Sequence, residues 1–133
     1  MLKEEVEQLK KLAKPFINDC ERVVKIIGKF DVFNQCESSC LAFADTFRVT
    51  EDEQIWWEGD EYWNYGGYEH HSGSFPIEYL AMTDEELLAE ATRLNNEYLE
   101  EKRKEKEEEE KKNKEAKKKR DYATYLRLKK EFE

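Results

Sequence analysis

The sequence is poor in the residues that build phosphate loops, disulfide frameworks and membrane spans. Glycine occurs five times and proline twice, and no glycine-rich phosphate loop is among them, since Gly66 and Gly67 stand in a turn sequence without the spacing of a cradle. Three cysteines, Cys20, Cys36 and Cys40, are an odd number and exclude a fully paired disulfide framework. The opening MLKEEVEQLK lacks the apolar core of a signal peptide. Reduced thiols in the cytoplasm are therefore expected. No run approaches the ~18 apolar residues of a membrane span, so no membrane role is expected. Basic residues are nearly missing from 31 to 97, where Arg48 and Arg93 face 16 Asp and Glu.

That last shortage shapes the expected partners. The net charge is −9, divided unevenly: residues 1–99 hold 9 Lys and Arg against 21 Asp and Glu, while 100–133 hold 14 against 11. An acidic surface repels phosphate backbones, so direct nucleic-acid binding by the acidic part is not expected, and basic protein surfaces become its natural partners. With 133 residues the chain has room for one modest core. The expected division is an acidic α+β domain over 1–99 and a charged helical arm with an apolar tip over 100–133.

Periodicity assigns the elements. Leu2, Val6, Leu9, Ala13, Phe16, Cys20, Val23 and Ile27 recur in alternating steps of four and three, one stripe of a helix. Such steps suit either a helix packed on its own sheet, the favoured reading, or a coiled-coil seam. Pro15 predicts a kink, or a break into two helices, and Gly28 a left-handed C-terminal residue. From Phe30 to Leu80 the period becomes two. Leu41, Phe43, Phe47 and Val49 read as one strand, Gln54 to Trp63 as a second, and Phe75, Ile77 and Tyr79 as a third held to an edge or a strand start by Pro76. Turns are expected at Thr50–Glu53 and Asn64–Gly67. The predicted fold is an N-terminal helix packed on an antiparallel meander of three or four strands, followed by a long charged C-terminal helix.

Thr83 with Glu86 three residues later makes a capping box for that last helix. Leu87, Leu88, Ala91, Leu94, Tyr98 and Leu99 give it an expected buried first part. Beyond Glu100 the only apolar residue up to Asp121 is Ala116, and pairs such as Glu107 with Lys111 and Glu110 with Lys114 contribute about 0.3 kcal/mol each. A continuous helix from Thr83 to Glu133 would run about 75 Å. Apolar residues return as Tyr122, Tyr125, Leu126, Leu128 and Phe132, of which Tyr122, Tyr125, Leu126 and Phe132 share a face suited to fold-back, to a homodimer or to another partner.

Chemistry is sparse. Cys36 and Cys40 with His70 and His71 offer zinc-type ligands, but the second half lacks a matching H-x3-H or C-x2-C partner, so free thiols and surface histidines are the preferred reading. A Cys/His catalytic pair has no orienting third group or oxyanion donor motif. The acids from Glu51 to Glu61 lack the spacing of a calcium loop. No cofactor is expected, and no enzyme activity. The densest unusual stretch is Ile55 to Tyr68, which holds all three tryptophans. Strand alternation prevents Trp56 and Trp57 from sharing one core, so one of them is expected to be exposed or covered by another element. Trp56, Trp57, Glu58, Asp60, Glu61, Tyr62, Trp63, Tyr65 and Tyr68 are the expected partner-binding residues, acidic and aromatic together.

FPIEYLAMTDEELLAEA, the closing RDYATYLRLKKEFE after a Lys/Glu arm, and YGGYEHHSGSFPIEYL together resemble small accessory proteins encoded by phages and prophages of Gram-positive bacteria, over residues 55–133. The resemblance implies a non-enzymatic protein acting on host machinery, in some cases as an inhibitor of CRISPR or other nuclease defences, and transfers no site. The expected function is binding and inhibition of a basic, nucleic-acid-processing protein. Scaffolding through helical self-association, and sequestering of a small ligand such as a nucleotide signal between aromatics, are the alternatives.

Overall fold

The computed structural model describes residues 1–36 and 38–132; Glu133, the expected end of the last helix, lies outside them. The architecture is α+β: helix α1 (Lys3–Ile27), strands β1 (Thr46–Val49), β2 (Gln54–Tyr62) and β3 (Tyr68–Pro76), and helix α2 (Asp84–Phe132). The strands form one antiparallel sheet in the order β1-β2-β3, the meander that the period-two pattern predicts. Short 3₁₀ turns at Asp31–Phe33, Leu41–Phe43 and Ile77–Ala81 make the connections. The chain divides into two compact units, Met1–Asn95 and Asn96–Glu133.

Helix α1 runs unbroken through Pro15, which corrects the expectation of two helices. Its stripe divides instead by burial. Cys20, Val23 and Ile27 are fully buried, with Phe16 packed against them, whereas Leu2, Leu9 and Leu12 are more than half exposed. Only the second half of α1 packs on the core. Gly28 is right-handed, at φ −67°, contrary to expectation; a Cβ there would come within 2.5 Å of the Val24 carbonyl oxygen, so close approach to the backbone is what favours glycine. Asn34 secures this end by donating to the carbonyls of Gly28 and Phe30 at 2.9 and 2.8 Å. Arg22 ties α1 to the start of α2, donating to Asp84 at 2.7 Å and to the Met82 carbonyl at 2.9 Å. The bond to Asp84 raises the Arg22 guanidinium above its ordinary pKa.

The first predicted strand is too long. Leu41–Phe43 coil into a 3₁₀ turn and only Thr46–Val49 pair with β2. The cause is tight packing at Gly59 on β2: a Cβ there would lie 1.7 Å from the Phe43 carbonyl oxygen. Here the chain crosses the sheet face instead of joining its edge, and Leu41 is driven into the core. The third strand is also displaced. It covers Tyr68–Pro76, and the alternating Ile77 and Tyr79 belong to the 3₁₀ turn that follows. Pro76 is its last residue, where a missing N–H costs the ladder least. Both expected turns form, with positive φ at Glu53 (59°) and Gly66 (81°).

The capping box at the start of α2 is present: Glu86 N–H donates to Thr83 Oγ1 at 3.2 Å, and Thr83 N–H to Glu86 Oε1 at 3.4 Å. Of the residues expected to be buried there, Leu87 and Ala91 reach the core, Leu94 and Tyr98 are half-buried, and Leu88 and Leu99 are exposed. The stripe is narrower than its composition, because only the line through Leu87 and Ala91 reaches the buried cluster. Within the core, Trp57 packs against Gly73, where a Cβ would stand 2.8 Å from the indole.

The neighbours Leu87 and Leu88 therefore test the packing. Leu87→Ala is expected to cost about 2–5 kcal/mol and Leu88→Ala less than about 0.5 kcal/mol, read from urea unfolding midpoints. Equal losses would contradict this burial.

Candidate functional site

Strand alternation sorts the aromatic stretch into two faces. On β2, Ile55, Trp57 and Gly59 are buried, while Trp56, Glu58, Asp60 and Tyr62 take the other face. The register places Arg48 and Ser74 beside Trp56, Thr46 and Ser72 beside Glu58, His70 beside Asp60, and Tyr68 beside Tyr62. Thr46, Arg48, Tyr62, Tyr68, His70 and Ser74 are exposed. Trp57, 3% exposed, belongs to the core and is thereby removed from the expected contact surface, while Glu61, on the same side of the strand, stays part-exposed and bonds His71.

The open face is ordered by side-chain pairs. The Trp56 indole N–H donates to Glu58 Oε1 at 2.9 Å, and the Arg48 guanidinium stands over the indole, 5.7 Å from its centre. His70 Nδ1 meets Asp60 Oδ1 at 2.7 Å, and Tyr62 donates to Asp60 Oδ2 at 3.5 Å. The rings of Tyr62 and Tyr68 are 6.1 Å apart. Exposed pairs of this kind contribute little to stability; their effect is to hold the rings in place. A shallow cleft of about 280 Å³ is lined by Thr46, Phe47, Arg48, Trp56 and Glu58. At the hairpin end Trp63 packs over Gly67 and Tyr65 is fully exposed. Arg48 and His70 complete this face although composition alone did not mark them. The signal was the hairpin turn, which sets residue 70 opposite residue 60.

The residues weighed for zinc are not assembled. His70 and His71, adjacent on β3, point to opposite faces: His70 is exposed and His71 is 1% exposed. The Cys40 thiol donates to the Cys36 carbonyl at 3.3 Å. His71 instead anchors the segment before the sheet. Its Nδ1 accepts the Cys40 N–H at 3.2 Å, its Nε2 meets Glu61 at 3.1 Å, and its ring stacks on Phe43 with centroids 4.8 Å apart.

Among the described residues, Glu61, Glu69 and His71 alone bring three metal-type ligand atoms within 4.8 Å of one another. The Cys40 N–H requires a lone pair on Nδ1, which leaves the proton on Nε2, donating to Glu61. A metal at Nε2 would need that proton moved against the Cys40 donor. The cluster is a hydrogen-bonded anchor.

The helical-tip residues Tyr122, Tyr125, Leu126 and Phe132 are all exposed, in the unit 96–133. No helix among the described residues is long and apolar enough to cross a membrane. Comparison with protein-family models, curated proteins and solved structures returns no match to this chain.

Two measurements check this geometry. Burial, with Asp19 and Glu21 nearby, pushes the Cys20 thiol up to about 11. At pH 8 a thiol reagent should thus modify exposed Cys36 and spare Cys20 until the chain unfolds. Rapid modification of Cys20 in the folded chain would refute its burial. Added zinc should leave the thermal unfolding midpoint unchanged, and His71→Ala should cost about 1–3 kcal/mol by orphaning the Cys40 N–H; calorimetry reads both.

Proposed function

We propose that this chain is a non-enzymatic binding protein whose open sheet face docks on a basic protein surface. The observation that carries the reading is the gathering of Trp56, Glu58, Asp60, Tyr62 and Tyr68 on one uncovered face. Partly exposed Trp and Tyr held rigidly beside carboxylates have the composition of an interaction hot spot. Arginine is the favoured counterpart, since it pairs with Glu58 and Asp60 and stacks on exposed rings. The turn acids Glu51, Asp52 and Glu53, all exposed, extend the negative potential and would speed association with a positively charged partner. A nucleic-acid-processing or defence enzyme, of the CRISPR type, suits this chemistry: its positively charged groove would receive carboxylates in place of phosphates. The setting proposed is a phage-encoded inhibitor working in the host cytoplasm.

A second reading, self-association as a scaffold, is favoured by the first half of α1, where Leu2, Leu9 and Leu12 are exposed at 68%, 57% and 61%. Concentration-dependent sedimentation separates the two. Affinity capture from a bacterial host lysate at low and high salt tests the first. One basic protein should be recovered, less at high salt, and lost with Trp56→Ala or with Glu58→Lys and Asp60→Lys, while Glu61→Lys should weaken folding instead. Unchanged capture by the face variants would refute the reading.

A further inference from the structure

The opposite charge pattern occupies the far part of α2. Residues 111–130 hold ten Lys and Arg against Glu115 and Asp121, and every one of these side chains is exposed. Upstream, Arg103 is matched locally, bridging Glu100 and Glu107 at 2.6 and 2.5 Å. Beyond Lys114 this balance stops. Lys114 precedes Lys118 by four residues, a like-charge spacing that opposes the helix, and Lys117, Lys118, Lys119 and Arg120 follow one another. The segment carries positive potential that its own acids do not neutralise.

An apolar stripe overlaps that charge. Tyr122, Tyr125, Leu126 and Phe132 are 64%, 58%, 45% and 88% exposed, and at about 100° per residue they fall within a sector roughly 120° wide. Lys111, Lys118 and Lys129 lie inside the same sector with the single acid Glu115, and Lys119 and Asp121 border it. Their long stems let such lysines share an apolar face while the ammonium reaches outward. An occupant must therefore accept positive charge and apolar side chains on one side of the helix. A nucleic acid answers the first demand alone, and an uncharged apolar groove the second alone.

We propose that residues 111–132 form an in-plane helix that binds anionic lipid surfaces. Phosphate headgroups meet the lysines, the tyrosine rings lie at headgroup depth, and Leu126 and Phe132 enter the acyl boundary. Such binding is peripheral and needs no span. It is separate from the sheet face, so either reading can fail without the other.

The test is co-sedimentation of the full chain with vesicles of phosphatidylcholine alone and of phosphatidylcholine mixed with phosphatidylglycerol, at low and high salt. Binding is expected only to the mixed vesicles and should fall with salt. Reversing Lys118 and Lys129 to glutamate should lower partitioning at least about tenfold. Leu126→Ser with Phe132→Ser should lower it by a similar factor, circular dichroism confirming that the helix persists. Three results would overturn the proposal: equal binding to neutral vesicles, no loss on removing Leu126 and Phe132, or binding to duplex oligonucleotide without binding to mixed vesicles.

Discussion

Close approach of layers at two glycines is the constraint on which the first unit depends. At Gly59 the Phe43 carbonyl occupies the space of a side chain, and at Gly73 the Trp57 indole does. Without the first, the segment 41–45 could not lie against the sheet and Leu41 would lose its place. Without the second, the largest core ring would have to stand away from β3. A core with ten buried hydrophobic residues among those described has few contacts to spare, so these approaches decide whether its layers meet at packing density.

Polar groups then hold what the glycines allow to meet. His71 and Arg22 join segments distant in sequence, through Cys40 and through Asp84 and Met82, while Asn34 closes the nearby turn onto Gly28 and Phe30. All three are side chains that satisfy backbone groups at the ends of turns and helices, where pairing within the element is lacking. A chain so rich in charge places its indispensable polar contacts in the interior and at helix ends, and leaves most carboxylates to water.

The order of elements and their types were legible because α1 and the start of α2 carry clear helical spacing and capping chemistry, and because Gly66 marks the hairpin. The strand limits were less so. Tyr68 to Ser74 contains Glu69, His70, Ser72 and Gly73, poor strand formers that pair because β2 is beside them, a tertiary effect that overrides propensity. Leu41 and Phe43 alternate like strand residues but answer to Gly59, seventeen or so positions away, and no local rule reports that. The partition of the aromatic stretch followed from alternation, which places Trp56 and Trp57 on opposite faces. Which face is covered depended on where the 41–43 turn and α1 pack, and with it the burial of Trp57.

The continuity of α2 across the two units links the order of one to the other. Starting a helix from coil is the unfavourable step, and each later residue is added at little cost. Docking of Leu87 and Ala91 and closure of the Thr83–Glu86 box complete that step inside the first unit. The charged segment, which has no core of its own, thus inherits a nucleus that it could not readily form alone, and its helicity should rise and fall with the folding of residues far upstream.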